Sequence, residues 1–159
     1  MQPRMERYGT TEDISWSILL ECENGMLSTV NGDGSPYTVP MNYLCLDGRI
    51  YIHGRRTETK LDNIKRDPRV CFAVFIQDGY EYGSDHACDT ETIFRSAVVM
   101  GTARVVDDPI EKARILRALA DRFGMEDRVI PEKSIVATCV IEITPEKVTG
   151  KVHPPSHSG

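Results

Sequence analysis

Two short glycine-containing turns constrain the fold of this chain more than any other feature. The first, Asn31-Gly32-Asp33-Gly34, separates the apolar segment 26–30 from the alternating segment 36–46. The second, Asp47-Gly48, leads directly into the apolar segment 49–53. Asn-Gly and Asp-Gly pairs between strand-like segments are typical of tight β-hairpins. The sequence therefore predicts three consecutive antiparallel strands in this part of the chain.

The remaining segments are predicted to be strands and amphipathic helices. Capping signals and apolar spacing predict helices from Thr10-Thr11 to about Asn24, around Leu61 and Ile64, and from Asp108 to Phe123. Further strands are predicted at 70–76, 93–106 and 134–143, with 147–153 as an extension of the last. Gly101 is expected to form a bulge or bend. Six strands with long, bent members favour a small closed barrel, so the expected fold class is mainly β with helices (α+β).

A polar, turn-rich segment interrupts this pattern at 77–92. An irregular stretch of this length inside a compact domain is more often functional or disordered than inert. It is interpreted as a lid over a ligand cleft, in which Tyr80, Tyr82 and His86 could stack on a substrate. His86-x-Cys88-Asp89 resembles a metal-ligand cluster, but no second cluster completes a four-ligand site, so no metal is expected.

A positive segment lies where the strand at 49–53 gives way to the next helix. Residues 55–69 contain six of the chain's 19 Lys and Arg residues and only three acids, a net charge of +3, whereas the other 144 residues sum to −8. Positive charge beside a helix N-terminus favours binding of a phosphate. The segment therefore indicates a phosphorylated small molecule, and the alternative is a solvated loop and helix face.

Composition limits the classes of function. A length of 159 residues indicates one domain, and a net charge of −5 argues against nucleic acid as a partner. No apolar run approaches the roughly 20 residues of a membrane span, and MQPRMERYGT resembles no secretory signal. The five cysteines form no C-x-x-C pair, so neither disulfides nor zinc are expected. A cytoplasmic protein that does not bind membranes is predicted.

Ordered motifs along the chain resemble the FMN-binding split-barrel superfamily. They are Ser35-Pro36-Tyr37-x-Val39-Pro40-Met41-Asn42-Tyr43, Ile50-Tyr51-Ile52-His53-Gly54, Lys60 to Phe72, Phe94-Arg95-Ser96-Ala97-Val98-Val99-x-Gly101, and the closing Ile141-Glu142-Ile143 and Thr149-Gly150-Lys151. The branch that they resemble is that of the pyridoxamine 5′-phosphate oxidase-related proteins, which include the nitroimidazole-resistance (Nim-type) group. One departure is Glu58, which stands where the Nim-type pattern usually has glycine.

The resemblance implies a six-stranded antiparallel split β-barrel with Greek-key topology. It implies a single flavin-binding domain over 1–152, followed by a disordered tail at 153–159. It also implies a homodimer with FMN, or FAD, in clefts at the subunit interface. Val39, Pro40, Met41 and Asn42 would lie along the isoalloxazine, His53 and Gly54 near the ring, and Arg55, Arg56, Lys60 and Leu61 at the phosphate end, with Ser96 completing the site.

His53 is the candidate catalytic residue, because an imidazole titrates near neutral pH and could transfer a proton. Its alternative is packing at a dimer interface. The function expected is an FMN-binding oxidoreductase of a small molecule, with reduction of a nitroaromatic as one candidate and oxidation of a pyridoxamine phosphate as another. Two alternatives stay open: a flavin- or haem-binding module without turnover, which serves as a sensor or store, and a dimeric protein with a degenerate site.

Overall fold

A computed structural model describes residues 3–83 and 86–155 of the chain. Its helices are α1 (Pro3–Tyr8), α2 (Glu12–Glu21), α3 (Thr59–Arg66), α4 (Pro109–Arg122) and α5 (Glu132–Ala137), and a 3₁₀ turn spans Ala87–Asp89. Its strands are β1 (Gly9–Thr10), β2 (Asn24–Val30), β3 (Pro36–Leu46), β4 (Arg49–Arg55), β5 (Arg69–Tyr82), β6 (Thr90–Val105) and β7 (Thr138–His153). The molecule is thus an α+β protein, as expected.

Six of the strands close into a barrel. Within the described residues, seven strands form one antiparallel sheet in the order β1-β7-β4-β3-β2-β5-β6, and additional pairing between β6 and β7 closes the ring. The two-residue β1 pairs with β7 outside this ring. Strands β2 to β4 form the predicted meander, and β5 returns to lie beside β2, which is the Greek-key arrangement. The predicted six-stranded barrel is therefore confirmed.

Local sequence signals account for the turns and helix starts. At the β3–β4 turn, Asp47 and Gly48 both have positive φ, 53° and 72°, as a tight hairpin turn requires. The Thr11 side chain accepts a hydrogen bond from the Ile14 amide, and the Asp108 carboxylate accepts one from the Glu111 amide at 2.7 Å. Both residues are helix N-caps in the structure, which confirms those two helices.

The core has two parts, one inside the barrel and one outside it. The barrel interior is filled by side chains from the ring strands together with α2 and α3, including Leu19, Leu27, Tyr43, Phe72 and Ile141. The second part packs α4 against the outer side of the sheet through Leu44, Tyr51, Ile115, Leu119 and Val140. Because α4 covers this outer side, it forms one wall of a cleft beside the end of β4.

One residue is inserted in β7 where this strand pairs with β6. Met100 pairs with Lys147, whereas Gly101 pairs with Pro145, so the register skips Glu146. This irregularity confirms the predicted bulge at Gly101. A Cβ at Gly101 would lie 2.2 Å from the Thr144 carbonyl oxygen, so no larger residue fits there.

Two sequence predictions of secondary structure are wrong. Residues 134–137 are predicted to begin a strand, but they form the last four residues of α5, which starts after Pro131 at its N-cap. The irregular segment predicted at 77–92 is mostly a hairpin, because residues 77–82 of β5 pair with 90–94 of β6 past an irregularity between Gln77 and Gly79. The proposed lid therefore shrinks to 83–89, of which 84–85 lie outside the described residues.

The chain ends are described only in part. Strand β7 continues through His153, the first residue of the predicted tail, whereas 156–159 lie outside the described residues. The short helix α1 had no predicted counterpart. Among the described residues, no helix has both the length and the apolar character needed to traverse a membrane.

Candidate functional site

The ends of β3 and β4 present four predicted site residues on one side of the sheet. Pro40 and Asn42 on β3 are exposed, and so are His53 and Arg55 on β4. Asn42 and His53 lie next to Tyr43 and Ile52, the pair at which the β3–β4 ladder ends. The antiparallel pairing thus brings residues that are 11 to 15 positions apart in sequence onto one surface, the outer face of the barrel.

Val39 and Met41 point to the other side of the same strand. Their side chains are half-buried and pack against the barrel core. Because side chains alternate along a strand, the two residues that flank Pro40 can meet a ligand on the outer face only through their backbone.

His53 lies at the rim of an apolar cleft. The cleft has a volume of about 210 Å³ and is lined on the α4 side by Leu116, Leu119, Phe123 and Met125. Ile130, from the segment after α4, lines the cleft as well. An apolar cleft with one imidazole at its edge suits a flat ring or an apolar substrate.

Lys60, the predicted phosphate ligand, is held by an internal acid. Its side chain is only 5% exposed, and its Nζ contacts a carboxylate oxygen of Glu58. Gly54 lies beside this pair: a Cβ there would be 2.7 Å from Glu58 Oε2 and 3.3 Å from Lys60 Nζ. The glycine predicted to approach the ligand therefore accommodates an ion pair of the chain itself.

A cavity lies beside the same loop, between α3, the end of β6, the start of α4 and the start of β7. Its volume is about 480 Å³. We call it the basic cavity, because four cationic residues and one acid line it: Arg56, Lys65, Arg104, Lys112 and Asp107. Leu61 reaches it as well, although its side chain is otherwise buried in the core.

Lys112 gives the basic cavity its unusual electrostatics. It is 5% exposed, and its Nζ donates a hydrogen bond to the Val136 carbonyl at 3.3 Å. Arg56 Nε donates to the same carbonyl at 3.1 Å. Burial, together with the positive charge of Arg56, lowers the pKa of Lys112 below its ordinary value of 10.5. Two cations that share one neutral acceptor would be stabilised by an anion.

Arg104 connects the basic cavity to a buried acid, Glu142. Its guanidinium donates to both oxygens of Glu142, at 2.8 and 3.0 Å, and to Glu111 at 3.1 Å. Glu142 also accepts hydrogen bonds from Tyr51 and Arg49. Burial alone would raise the pKa of Glu142, but the bonds from Arg104 and Tyr51 outweigh it, so the pKa is lowered. Arg104 is therefore fixed in place by structural partners.

Residues 11–152, most of the chain, match the family model described as pyridoxamine 5′-phosphate oxidase. The chain belongs to this family. A comparison with the sequences of curated proteins gives no match.

Solved structures of similar fold share this barrel. The flavocytochrome Anf3 from Azotobacter vinelandii has a TM-score of 0.85 and 23% identity, over 96% of this chain and 73% of that one. The FAD and heme binding protein from Mycobacterium smegmatis has a TM-score of 0.80 and 21% identity, over 95% and 77%. A candidate 5-nitroimidazole antibiotic resistance protein from Bacteroides thetaiotaomicron has a TM-score of 0.77 and 21% identity, over 89% and 84%. At these identities the likeness shows the fold.

In this pyridoxamine 5′-phosphate oxidase fold, the predicted site residue Ser96 lies away from the others. Ser96 lies on β6, where it pairs with Phe75 and Lys151. Strands β2 and β5 separate it from Asn42 on β3. Exposed apolar side chains lie on this outer side of the sheet: Met26 is 43% exposed, Phe75 60% and Met100 50%. We call these three residues the outer patch.

Sequence reasoning missed Lys112 and Arg104 as members of a site in this family member, and it counted Lys65 only as part of the positive segment 55–69. They come from three separate elements, and no local motif joins them. One signal was present for Lys112, which shares the helical face of the buried Ile115, Leu116 and Leu119. A lysine inside an apolar helical stripe is a cation that the fold places out of water.

Proposed function

We propose that this member of the pyridoxamine 5′-phosphate oxidase family binds FMN and acts as an oxidoreductase on a small molecule. The observation that carries the proposal is the basic cavity, in which Arg56 and a buried Lys112 lie beside the predicted phosphate loop without a carboxylate bonded to either among the described residues. When bound, a flavin supplies hydride and electron transfer, which the side chains of the site do not provide.

The residues of the chain divide into three proposed roles. Arg56 and Lys112, with Lys60 and the exposed Arg55, would bind the phosphate end through charge-assisted hydrogen bonds. Pro40, Asn42 and the backbone of Val39 and Met41 would contact the ring. The apolar cleft beside His53 would exclude water from the reacting face, and His53 would hold or deliver a proton to the substrate.

A second copy of the chain is part of the proposal. The separation of Ser96 from Asn42 supports this, because one protomer does not bring the two residues to the same point. The outer patch supports it as well, since exposed apolar side chains on one sheet face are typical of interfaces. A homodimer with the flavin between subunits would use both features.

We also propose a cytoplasmic location for the protein. All five cysteines are free. Free thiols of this number are typical of proteins from reducing compartments.

The first experiment is a visible absorption spectrum of the purified protein, followed by mass analysis of the released cofactor. A flavin spectrum and a mass equal to FMN are expected. Arg56→Gln should weaken FMN binding about tenfold, as loss of one charge-assisted hydrogen bond predicts. Arg114→Gln, a matched change at an exposed arginine of α4, should leave it unchanged. A colourless protein that binds neither FMN nor FAD would refute the proposal.

Turnover is tested by anaerobic mixing of the flavin-loaded protein with NADH or NADPH. Bleaching of the flavin, followed by reoxidation with a nitroaromatic or another acceptor, is expected for an oxidoreductase. His53→Gln should retain FMN and lose reoxidation rate. Equal rates of flavin reoxidation in the wild type and in His53→Gln would show that His53 takes no part in the reaction.

A second candidate function is flavin or haem binding without turnover. It is favoured by two of the similar structures, which are a flavocytochrome and a protein that binds FAD and heme. Titration with haemin distinguishes the two functions, because a bound haem gives an intense band near the violet end of the spectrum. A stable haem complex together with a flavin that no donor reduces would favour this second candidate.

A further inference from the structure

We infer that Glu58 competes with the flavin phosphate for Lys60. Through this competition, Glu58 determines how strongly the chain prefers a phosphorylated flavin to an unphosphorylated one. The inference rests on the proposed function, because it concerns the phosphate end of the same site. It follows from the Glu58–Lys60 pair, its surroundings and the start of α3.

The pair places an anion where a phosphate is expected to bind. Lys60 is buried, and its Nζ contacts the Glu58 carboxylate. Glu58 is 30% exposed, so it has a way out to solvent that Lys60 lacks. A buried ammonium needs an anionic partner. In the protein without ligand, Glu58 supplies it.

Gly54 limits the space on one side of the pair. Gly54 packs directly against both members, and a single added carbon there would already lie 2.7 Å from the Glu58 carboxylate. A phosphate that approaches Lys60 from this side would have to displace the carboxylate. If Glu58 stayed, two anions in close contact would repel each other.

The start of α3 shows what Glu58 gives up by pairing with Lys60. Glu58 occupies the N-cap position of this eight-residue helix, yet its side chain makes no capping hydrogen bond in the part of the chain that the structure describes. The first amides of a helix have no acceptor within the helix, and they donate instead to a short N-cap side chain, to water or to a bound anion. Once displaced, the Glu58 carboxylate would move into solvent, and a phosphate could use Lys60 and these amides together.

The test compares FMN with riboflavin, which lacks the phosphate. Their dissociation constants are measured by quenching of flavin fluorescence in the wild type, Glu58→Gln and Asp62→Asn. Asp62 is an exposed acid on the same helix, so its variant matches the change in net charge. Glu58→Gln should tighten FMN about tenfold and leave riboflavin unchanged, since only the phosphate meets the removed charge. Asp62→Asn should shift FMN affinity far less.

A second variant guards against a folding defect. Glu58→Gly removes the competing side chain entirely, and glycine is accepted at an N-cap. It should tighten FMN as Glu58→Gln does, and FMN should raise the melting temperature more in both variants than in the wild type. An unchanged or lowered preference for FMN over riboflavin in both variants would overturn the inference while leaving flavin binding intact. Absence of flavin binding in all proteins would overturn the proposed function as well.

Discussion

Glu142 and Glu58 are two acids that each pair with a base, but the buried member is the acid in one case and the base in the other. Glu142 is 2% exposed and accepts hydrogen bonds from Arg49, Arg104 and Tyr51, which come from strands of the closed barrel. Glu58 is 30% exposed, lies between β4 and α3, and meets one base, Lys60.

The difference shows what distinguishes a structural ion pair from a replaceable one. Every oxygen of Glu142 is bonded, and its partners lie on paired strands, so no ligand can take its place without opening the barrel. Glu58 has one partner and access to solvent. An acid whose oxygens are all hydrogen-bonded to paired strands stabilises the fold. An acid that makes a single contact from a connecting segment can be replaced by a bound anion.

The largest effect is expected for Glu142→Gln. The change removes the carboxylate that Arg104, Arg49 and Tyr51 share and should lower the free energy of unfolding by about 2 kcal/mol, as loss of hydrogen bonds to a charged group does. Urea unfolding measures it. Glu146→Gln, an exposed position on the same strand, is the control and should stay within about 0.5 kcal/mol of the wild type. Equal losses in both variants would make Glu142 an ordinary surface acid.

The pH dependence of the same variant comes next. The pKa of Glu142 is lowered in the folded protein, so the unfolded state takes up its proton first. The contribution of Glu142 is therefore complete above the ordinary value of 4.5 and is lost as the pH falls below it. The stability difference between the wild type and Glu142→Gln should shrink from neutral pH to about pH 3. A constant difference across this range would show that charge is not the cause.

A smaller effect is expected for Glu58→Gln. Without flavin, this change should lower the free energy of unfolding by about 1 kcal/mol. Lys60 loses its partner, but position 58 is partly exposed, so water can enter beside it. Saturating FMN should abolish or reverse this loss, since the phosphate would take over Lys60. The loss caused by Glu142→Gln should not depend on FMN. A flavin-dependent loss at Glu142, or a flavin-independent one at Glu58, would break the comparison.

The smallest effect is expected for Lys112→Met. Removing a buried cation beside Arg56 should raise the free energy of unfolding by about 0.5 kcal/mol at neutral pH. The lowered pKa of Lys112 means that the wild type gains stability as this lysine deprotonates, so the advantage of the variant should vanish above pH 10.5. Lys65→Met, at an exposed position on the same cavity, should leave stability unchanged. Destabilisation by Lys112→Met would mean that its hydrogen bond to Val136 outweighs its burial.

Much of the fold could be predicted because its signals are local. The Asp47-Gly48 turn, the N-caps at Thr11 and Asp108, and the bulge at Gly101 depend on a few neighbouring residues, and all are found in the structure. Residues 134–137 were misassigned because Ile135 and Val136 favour strands, while the helix there is set by Pro131 and contacts with α4. The hairpin at 77–94 was missed because its polar, exposed side chains carry no alternating apolar pattern.

The candidate site was predictable only in part. The resemblance implies that Asn42 and His53 lie near the same ring, and the structure puts both on the outer face. The basic cavity could not be predicted, because Arg56, Arg104 and Lys112 meet only after the barrel closes. The pairing of Glu58 with Lys60 likewise depends on the close approach of Gly54.

The insertion in β7 divides that strand into two halves that are out of phase. Before it, odd-numbered residues such as Ile141 and Ile143 face the barrel interior, and after it even-numbered ones such as Val148 and Val152 do. Deleting Glu146 would restore one uninterrupted alternation, and the later residues would keep their present partners on β6 and their present side. Keeping Glu146 without the bulge would instead turn every later side chain of the strand to the opposite side. The bulge therefore acts on several core positions at once, although Glu146 itself is exposed. The position of the bulge along the chain thus determines which side chains in the second half of β7 fill the barrel.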